Sequence, residues 1–121
     1  MEDDKITIKQ LKEIVKKYCE ERDWDQYHNP KELAIGVITE AAELLEPFRF
    51  KNEKEMAKIL KNPEKRAKIS EEMADVLYFV LRFAQMYNID ISDAFVKKME
   101  ENKKKYPIEK AKGSNKKYNE L

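Results

Sequence analysis

Two Asn-Pro steps, Asn29-Pro30 and Asn62-Pro63, punctuate this chain, and each opens a segment whose apolar residues recur every three or four positions. An asparagine side chain accepts from the free N–H groups of a first helical turn. Proline at the first helical position lacks only a donor that would have been unpaired there. Both steps therefore read as helix starts. No strand-like alternation runs between them, and two glycines in 121 residues leave little of the turn chemistry that an all-β chain needs. The expected class is all-α, a four-to-five-helix bundle.

The same periodicity sets out the elements. Thr7 caps a first helix on which Ile8, Leu11, Ile14, Val15 and Tyr18 keep helical spacing until Glu21-Arg22-Asp23. The stretch from Asp23 to Pro30 is aromatic and polar without period, and reads as a structured loop. The second helix starts at Asn29-Pro30 and ends at Pro47. Its residues Leu33, Ala34, Val37, Ile38, Ala41, Leu44 and Leu45 cover about 140° of arc. Glu40 and Glu43 lie at the edge of that stripe with Gly36 between them in projection, where a missing Cβ admits another helix or a ligand. Residues 53–61 form a short amphipathic helix through Met56, Ile59 and Leu60. A long helix then runs to about Tyr87, apolar on every side from Val76 to Ala84 except at Arg82. Such a segment is buried centrally or shared with another subunit. Asp90 with Asp93 caps a last helix carrying Phe95, Met99, Asn102 and Tyr106 on one face. Pro107 closes it, so the chain reads as one domain, 1–121, with 107–121 as a basic tail.

Charge narrows the function classes. A formal net charge of +1 gives no global field for nucleic acid or an acidic membrane. The tail lysines Lys110, Lys112, Lys116 and Lys117 are diluted by Glu109 and Glu120, which argues further against nucleic acid. The apolar run of the long helix is far short of a membrane span, and Met1-Glu2-Asp3-Asp4 is not how a secretory signal begins. The single cysteine, Cys19, excludes an intramolecular disulfide and reads as a buried or half-buried thiol. A cytoplasmic protein is expected.

The chemistry lies in the carboxylates. Acidic residues three apart occur five times: Glu20/Asp23, Glu40/Glu43, Glu43/Glu46, Glu72/Asp75 and Asp90/Asp93. Spacing alone therefore says little. Glu40/Glu43 and Glu72/Asp75 differ from the rest because each pair sits beside an apolar stripe rather than among lysines, where an unpaired charge is costly. Each pair also lies on one helix face, close enough for both carboxylates to reach one ion. Salt bridges to stray lysines are the other reading, and both stay open. If a metal is held, its ligands are all hard oxygens. The only histidine, His28, lies in the separate loop, and the Glu-x-x-His of di-iron bundles is absent. Oxygen-only donors suit Mg²⁺, with Mn²⁺ as the other candidate. Mg²⁺ usually shares carboxylates with substrate phosphates, which points to a nucleotide or pyrophosphate substrate.

These residues carry a resemblance. Glu40-Ala41-Ala42-Glu43 followed by Glu72-Met73-Ala74-Asp75 resembles the Glu-x-x-Glu … Glu-x-x-Asp signature of the MazG-like all-α nucleoside triphosphate pyrophosphohydrolases. The segments Arg22 to Pro30, Glu43 to Phe50, Lys98 to Pro107 and Lys117 to Leu121 are similar to the dCTP pyrophosphatase branch of that superfamily. The resemblance implies that Glu40, Glu43, Glu72 and Asp75 hold Mg²⁺ around a triphosphate, and that water attacks between the α- and β-phosphates. It implies that Lys98 and Lys105 meet phosphate oxygens, and that Trp24, His28, Phe50, Phe79 and Asn102 meet the base and sugar. It also implies a homodimer or homotetramer. Three departures bear on specificity. The second base-contacting aromatic, usually Trp, is Phe50; the tyrosine four residues after the aspartate is Phe79, with Tyr78 displaced by one; and Val15 stands where relatives place a histidine. The resemblance implies dCTP or a modified dCTP as the substrate. The alternatives are dUTP or broad-specificity hydrolysis, and a non-catalytic helical oligomerisation protein.

Overall fold

A computed structural model describes residues 2–121. The helices are α1 (Ile8–Glu21), α2 (Pro30–Leu45), α3 (Glu53–Lys61), α4 (Pro63–Met86), α5 (Ile91–Lys105) and a single turn, α6 (Ile108–Ala111). Short 3₁₀ turns occupy Asp25–Tyr27, Glu46–Phe48 and Tyr118–Glu120. Among the described residues there is no strand, and the class is all-α.

Helix starts fall where the capping residues place them. Thr7 Oγ1 accepts from the Gln10 amide at 3.1 Å, and the Gln10 side chain accepts from the Thr7 amide at 2.8 Å. This is a reciprocal capping box. Asn29 Oδ1 accepts from the Glu32 amide at 2.9 Å, Asn62 Oδ1 from Lys65 at 3.1 Å, and Asp90 Oδ1 from Asp93 at 3.0 Å. Each such cap contributes about 1 kcal/mol. Together they fix which residues of each helix face inward.

The chain divides into two units, the first ending at Asn88 and the second spanning Ile89–Leu121. In the first unit α4 is the common partner, with α1, α2 and α3 each packed against it. That accounts for part of the apolar character from Val76 to Ala84, while Leu77 within this stretch stays exposed. Val15 and Cys19 of α1 meet Leu81 of α4, with Leu11 and Tyr78 packed around them. Leu33, Ile59 and Ile69 are buried as well, and full burial of one such aliphatic side chain stabilises by about 1.5–3 kcal/mol. Cys19 is a buried thiol whose Sγ lies 3.1 Å from the Tyr78 hydroxyl.

Gly36 makes the close approach that its position suggests. A Cβ there would come within 2.4 Å of the Phe79 ring. The ring of α4 thus rests on the bare backbone of α2, and the two helices are drawn together one turn from Glu40.

In the second unit the residues after Pro107 are not a plain extension. The Tyr118 amide donates to the Tyr106 hydroxyl at 3.2 Å. The two rings meet edge to face at 6.1 Å, and the Lys105 ammonium lies 5.0 Å above the Tyr118 ring. The chain end is thereby folded back on the C-terminal turn of α5.

Candidate metal centre and its cavity

Packing of α2 on α4 brings three of the four expected carboxylates together. Oxygens of Glu40, Glu43 and Glu72 lie within 4.8 Å of one another. Glu72 is buried, Glu40 half-buried and Glu43 exposed. Asp75 is exposed one turn further along α4, outside the tight trio, but its charge is felt by both Glu40 and Glu72. The sequence pairing was by helix; the spatial grouping crosses helices, with Glu72 of α4 joining both acids of α2.

Two oxygens in this group, Glu40 Oε2 and Glu72 Oε2, are buried without a hydrogen-bond partner. The pKa of each of these two residues is raised. Desolvation is the largest cause, followed by a hydrogen bond to Glu43 and repulsion from neighbouring carboxylates. One expectation needs correction. Glu72 is not clear of lysines, because Lys68 Nζ lies 3.9 Å from its Oε1, one helical turn away. Lys68 is itself largely exposed and also faces Glu71 at 3.8 Å, so its ammonium offsets the cluster only in part.

Orphaned, converging carboxylate oxygens are the arrangement that a hard divalent cation satisfies. The donor set therefore fits a hard divalent cation, with the carboxylates of Glu40, Glu43 and Glu72 converging and Asp75 at their margin.

Beside the carboxylates opens a cavity of about 410 Å³, lined by Ile14, Val15, Tyr18, Trp24, Glu40, Asp75, Tyr78 and Phe79. Its volume falls in the ~300–1,000 Å³ of small-molecule sites. Two acids mark one side, and aliphatic and aromatic side chains form the rest. Trp24 stands edge to face with Tyr18 at 5.5 Å, and Tyr78 with Phe79 at 4.9 Å. Of the expected base-contacting residues, Trp24 and Phe79 line this cavity. Val15 contributes an apolar surface there, and Tyr78 lines it although displaced by one position. Its hydroxyl faces Cys19, and burial pushes its pKa up.

The remaining expected residues are placed differently. Phe50 is 91% exposed, with a left-handed backbone (φ 61°) that costs a non-glycine residue about 1–2 kcal/mol. The Arg49 guanidinium sits 4.8 Å over its ring. Lys98, Asn102 and Lys105 all lie on α5 in the second unit, where Asn102 is half-buried and its amide approaches Met99 Sδ at 3.9 Å.

His28 has a partner that the sequence did not suggest. Its Nδ1 accepts from Arg82 Nε at 2.9 Å. Arg82 is 1% exposed, and it also donates through Nη1 to Gln85 Oε1 at 2.6 Å and through Nη2 to Asp25 Oδ1. The available signal was an arginine inside an apolar helical run, since a buried guanidinium must find acceptors. A smaller cavity of about 230 Å³ is lined by Pro47, Lys51, Ile59, Lys65 and Lys68, the last of which reaches back to Glu72.

Comparison with known proteins identifies the family of the chain. Residues 35–121 match the MazG-like family. Over 115 residues, 95% of this chain and 68% of theirs, the chain is 33% identical to dCTP pyrophosphatase 1 of Homo sapiens and 32% identical to that of Rattus norvegicus. A crystal structure of a pyrophosphatase from Archaeoglobus fulgidus DSM 4304 superposes with a TM-score of 0.77 at 35% identity. The match covers 83% of this chain and 92% of that one.

Proposed function

Because this chain belongs to the MazG-like family, we propose that it is a nucleoside triphosphate pyrophosphohydrolase that uses Mg²⁺ and takes dCTP or a modified dCTP. The observation that carries the reading is the cluster of Glu40, Glu43 and Glu72, two of its buried oxygens unpartnered, beside an aromatic cavity of nucleoside size. The dCTP preference is supported by the name shared by the mammalian relatives.

In this reading Glu40, Glu43, Glu72 and Asp75 hold the cation. When bound, it supplies neutralisation of phosphate charge and a lowered pKa for coordinated water. Trp24, Tyr18 and Phe79 hold the nucleoside against apolar surface and exclude water from that end. A water oxygen bonds to the α-phosphorus, the bond from that phosphorus to the bridging oxygen breaks, and pyrophosphate leaves with its electron pair. A carboxylate of the trio that is not fully engaged in coordination takes the water's proton. Lys68, with Lys51 and Lys65 across the smaller cavity, offers cationic partners to the outer phosphates as point charges.

Self-association belongs to the same proposal. Ile35, Ile38 and Leu45 of α2, with Met73 and Leu77 of α4, are large apolar side chains left exposed, and a homodimer or homotetramer would cover them. Among the described residues no helix is long and apolar enough to cross a membrane.

The decisive experiment measures pyrophosphate release from a panel of deoxynucleoside triphosphates with Mg²⁺, with Mn²⁺ and with EDTA. Metal-dependent release with dCTP preferred is the expected result. Equal rates across the panel would replace the dCTP preference by broad specificity, and no release from any nucleotide would sink the enzyme reading.

A further inference from the structure

The Arg82 cluster touches none of the carboxylates of the trio, yet it grips the segment that forms one wall of the cavity. Two of its three partners, Asp25 and His28, belong to the loop between α1 and α2. Trp24 immediately precedes Asp25, and its ring lies 6.4 Å from that of His28. Trp24 also stands edge to face with Tyr18 of α1, and within the loop Gln26 Nε2 donates to Asp23 at 3.0 Å. The loop enters through Asp23 in the left-handed region (φ 54°). Its backbone bonds are local, from the Trp24 amide to Cys19 O at 3.0 Å and from the Tyr27 amide to Trp24 O at 2.9 Å. Among the described residues, the side-chain hydrogen bonds from this loop to α4 are those of the guanidinium fork. A hydrophobic side chain at position 82 would fill the same space without desolvating a charge. What a planar, multiply donating group adds is direction.

From this geometry we infer that Arg82 is a positioning residue for the nucleoside. It acts without touching the ligand, by clamping Asp25 and His28 so that Trp24 is held as the cavity wall. One consequence is that His28 spends its Nδ1 on the clamp, with its ring 6.4 Å from that of Trp24. The inference rests on the nucleotide reading above, and its test separates the two.

Trp24 is the only tryptophan in the chain, so fluorescence under tryptophan-selective excitation, which leaves the six tyrosines dark, reports on this loop. Wild type, Arg82→Met, Arg82→Lys and Asp25→Asn are compared by acrylamide quenching and by steady-state kinetics with dCTP, with circular dichroism as the folding control. Arg82→Met is expected to raise the quenching constant at least about twofold and KM about tenfold, with kcat within about twofold. Arg82→Lys keeps the charge but not the fork, and is expected between Met and wild type. If Arg82→Met does not fold, Asp25→Asn, altered at the exposed end of the same contact, carries the test with smaller changes in the same direction. Quenching and KM unchanged in a folded variant would overturn the inference, as would a change confined to kcat. A wild-type protein that hydrolyses no nucleotide would overturn the enzyme reading and the nucleoside role together. A hydrolysing wild type with a Trp24 indifferent to residue 82 would overturn the positioning role alone.

Discussion

Two buried polar groups lie on α4 about three helical turns apart, Glu72 and Arg82, and the chain treats them in opposite ways. Around Arg82 every nitrogen of the guanidinium donates to an acceptor from the same polypeptide. Around Glu72 three like charges converge, and two oxygens have no donor at all. A buried cluster completed within the chain serves the chain's own geometry. One left incomplete, against its own electrostatics, is where the proposed cation would supply the missing partner. Phe79, seated on Gly36 between the two, belongs to the wall that both clusters border.

The sharpest way to break this contrast is to neutralise the incomplete cluster. Glu43→Gln or Glu72→Gln is expected to lower kcat for pyrophosphate release by at least ~100-fold, the upper end of what losing even an outer partner of a bound metal costs. Without a divalent cation the Glu72→Gln protein should melt no lower than wild type, because repulsion is relieved. Full activity in Glu72→Gln would mean that the trio is as structural as the Arg82 cluster.

Metal binding gives the next largest effect. At a hundredfold excess over its dissociation constant, Mg²⁺ should stabilise the protein by about 2.7 kcal/mol. For a chain of this length that is a rise in melting temperature of roughly 10 °C. EDTA should reverse it, Glu72→Gln should lose most of it, and Arg82→Met should keep it. A shift that disappears in Arg82→Met would join the two clusters into one.

The sequence made the incomplete cluster visible and the complete one almost invisible, and the reason is physical. Helix bounds follow from local caps, so Thr7, Asn29, Asn62 and Asp90 could be read directly and the structure matches them. The carboxylates stood out because charge beside an apolar stripe is an anomaly within one helix. Their regrouping into Glu40, Glu43 and Glu72, with Asp75 at the margin, depends on the register of α2 against α4, and Phe79 on Gly36 sets that register through space. Arg82 was read only as a break in an apolar run. Its partners Asp25 and His28 lie more than fifty residues away, and no local periodicity connects them. The Lys68 contact with Glu72 was legible as four-residue spacing, but the reading of that acid as clear of lysines passed over it.

A smaller effect probes the complete cluster. Asp25→Asn keeps the shape of the Arg82 contact and removes its charge. The loss is expected at about 1.5 kcal/mol, the lower end for a hydrogen bond to a charged group, because the Asp25 side chain is 53% exposed. Urea unfolding should show the lower midpoint with an unchanged slope. Unchanged stability would mean that water already serves Asp25, and that His28 and Gln85 satisfy the guanidinium by themselves.

The smallest effect is also the most discriminating, because pH should act on the two clusters with opposite sign. The pKa values of Glu40 and Glu72 are raised above an ordinary 4.5, so the cation-free native state binds more protons than the unfolded chain above that pH. The stability these groups contribute is complete below about pH 4.5 and is lost as pH rises through their raised pKa values. The pKa of His28 is lowered below an ordinary 6.5, chiefly by desolvation and then by the Arg82 charge, against a smaller opposing pull from Asp25. Its native state binds fewer protons than the unfolded chain below pH 6.5, and the stability it contributes is lost as pH falls through its lowered pKa. Melting curves in EDTA from pH 4.5 to 7.5 make the comparison. Glu72→Gln should gain on wild type as pH rises, and His28→Gln, whose amide oxygen can still accept from Arg82, should gain as pH falls. Two differences sloping the same way would show that the clusters share one electrostatic environment, and the division between a cluster made for the chain and a cluster made for a ligand would not stand.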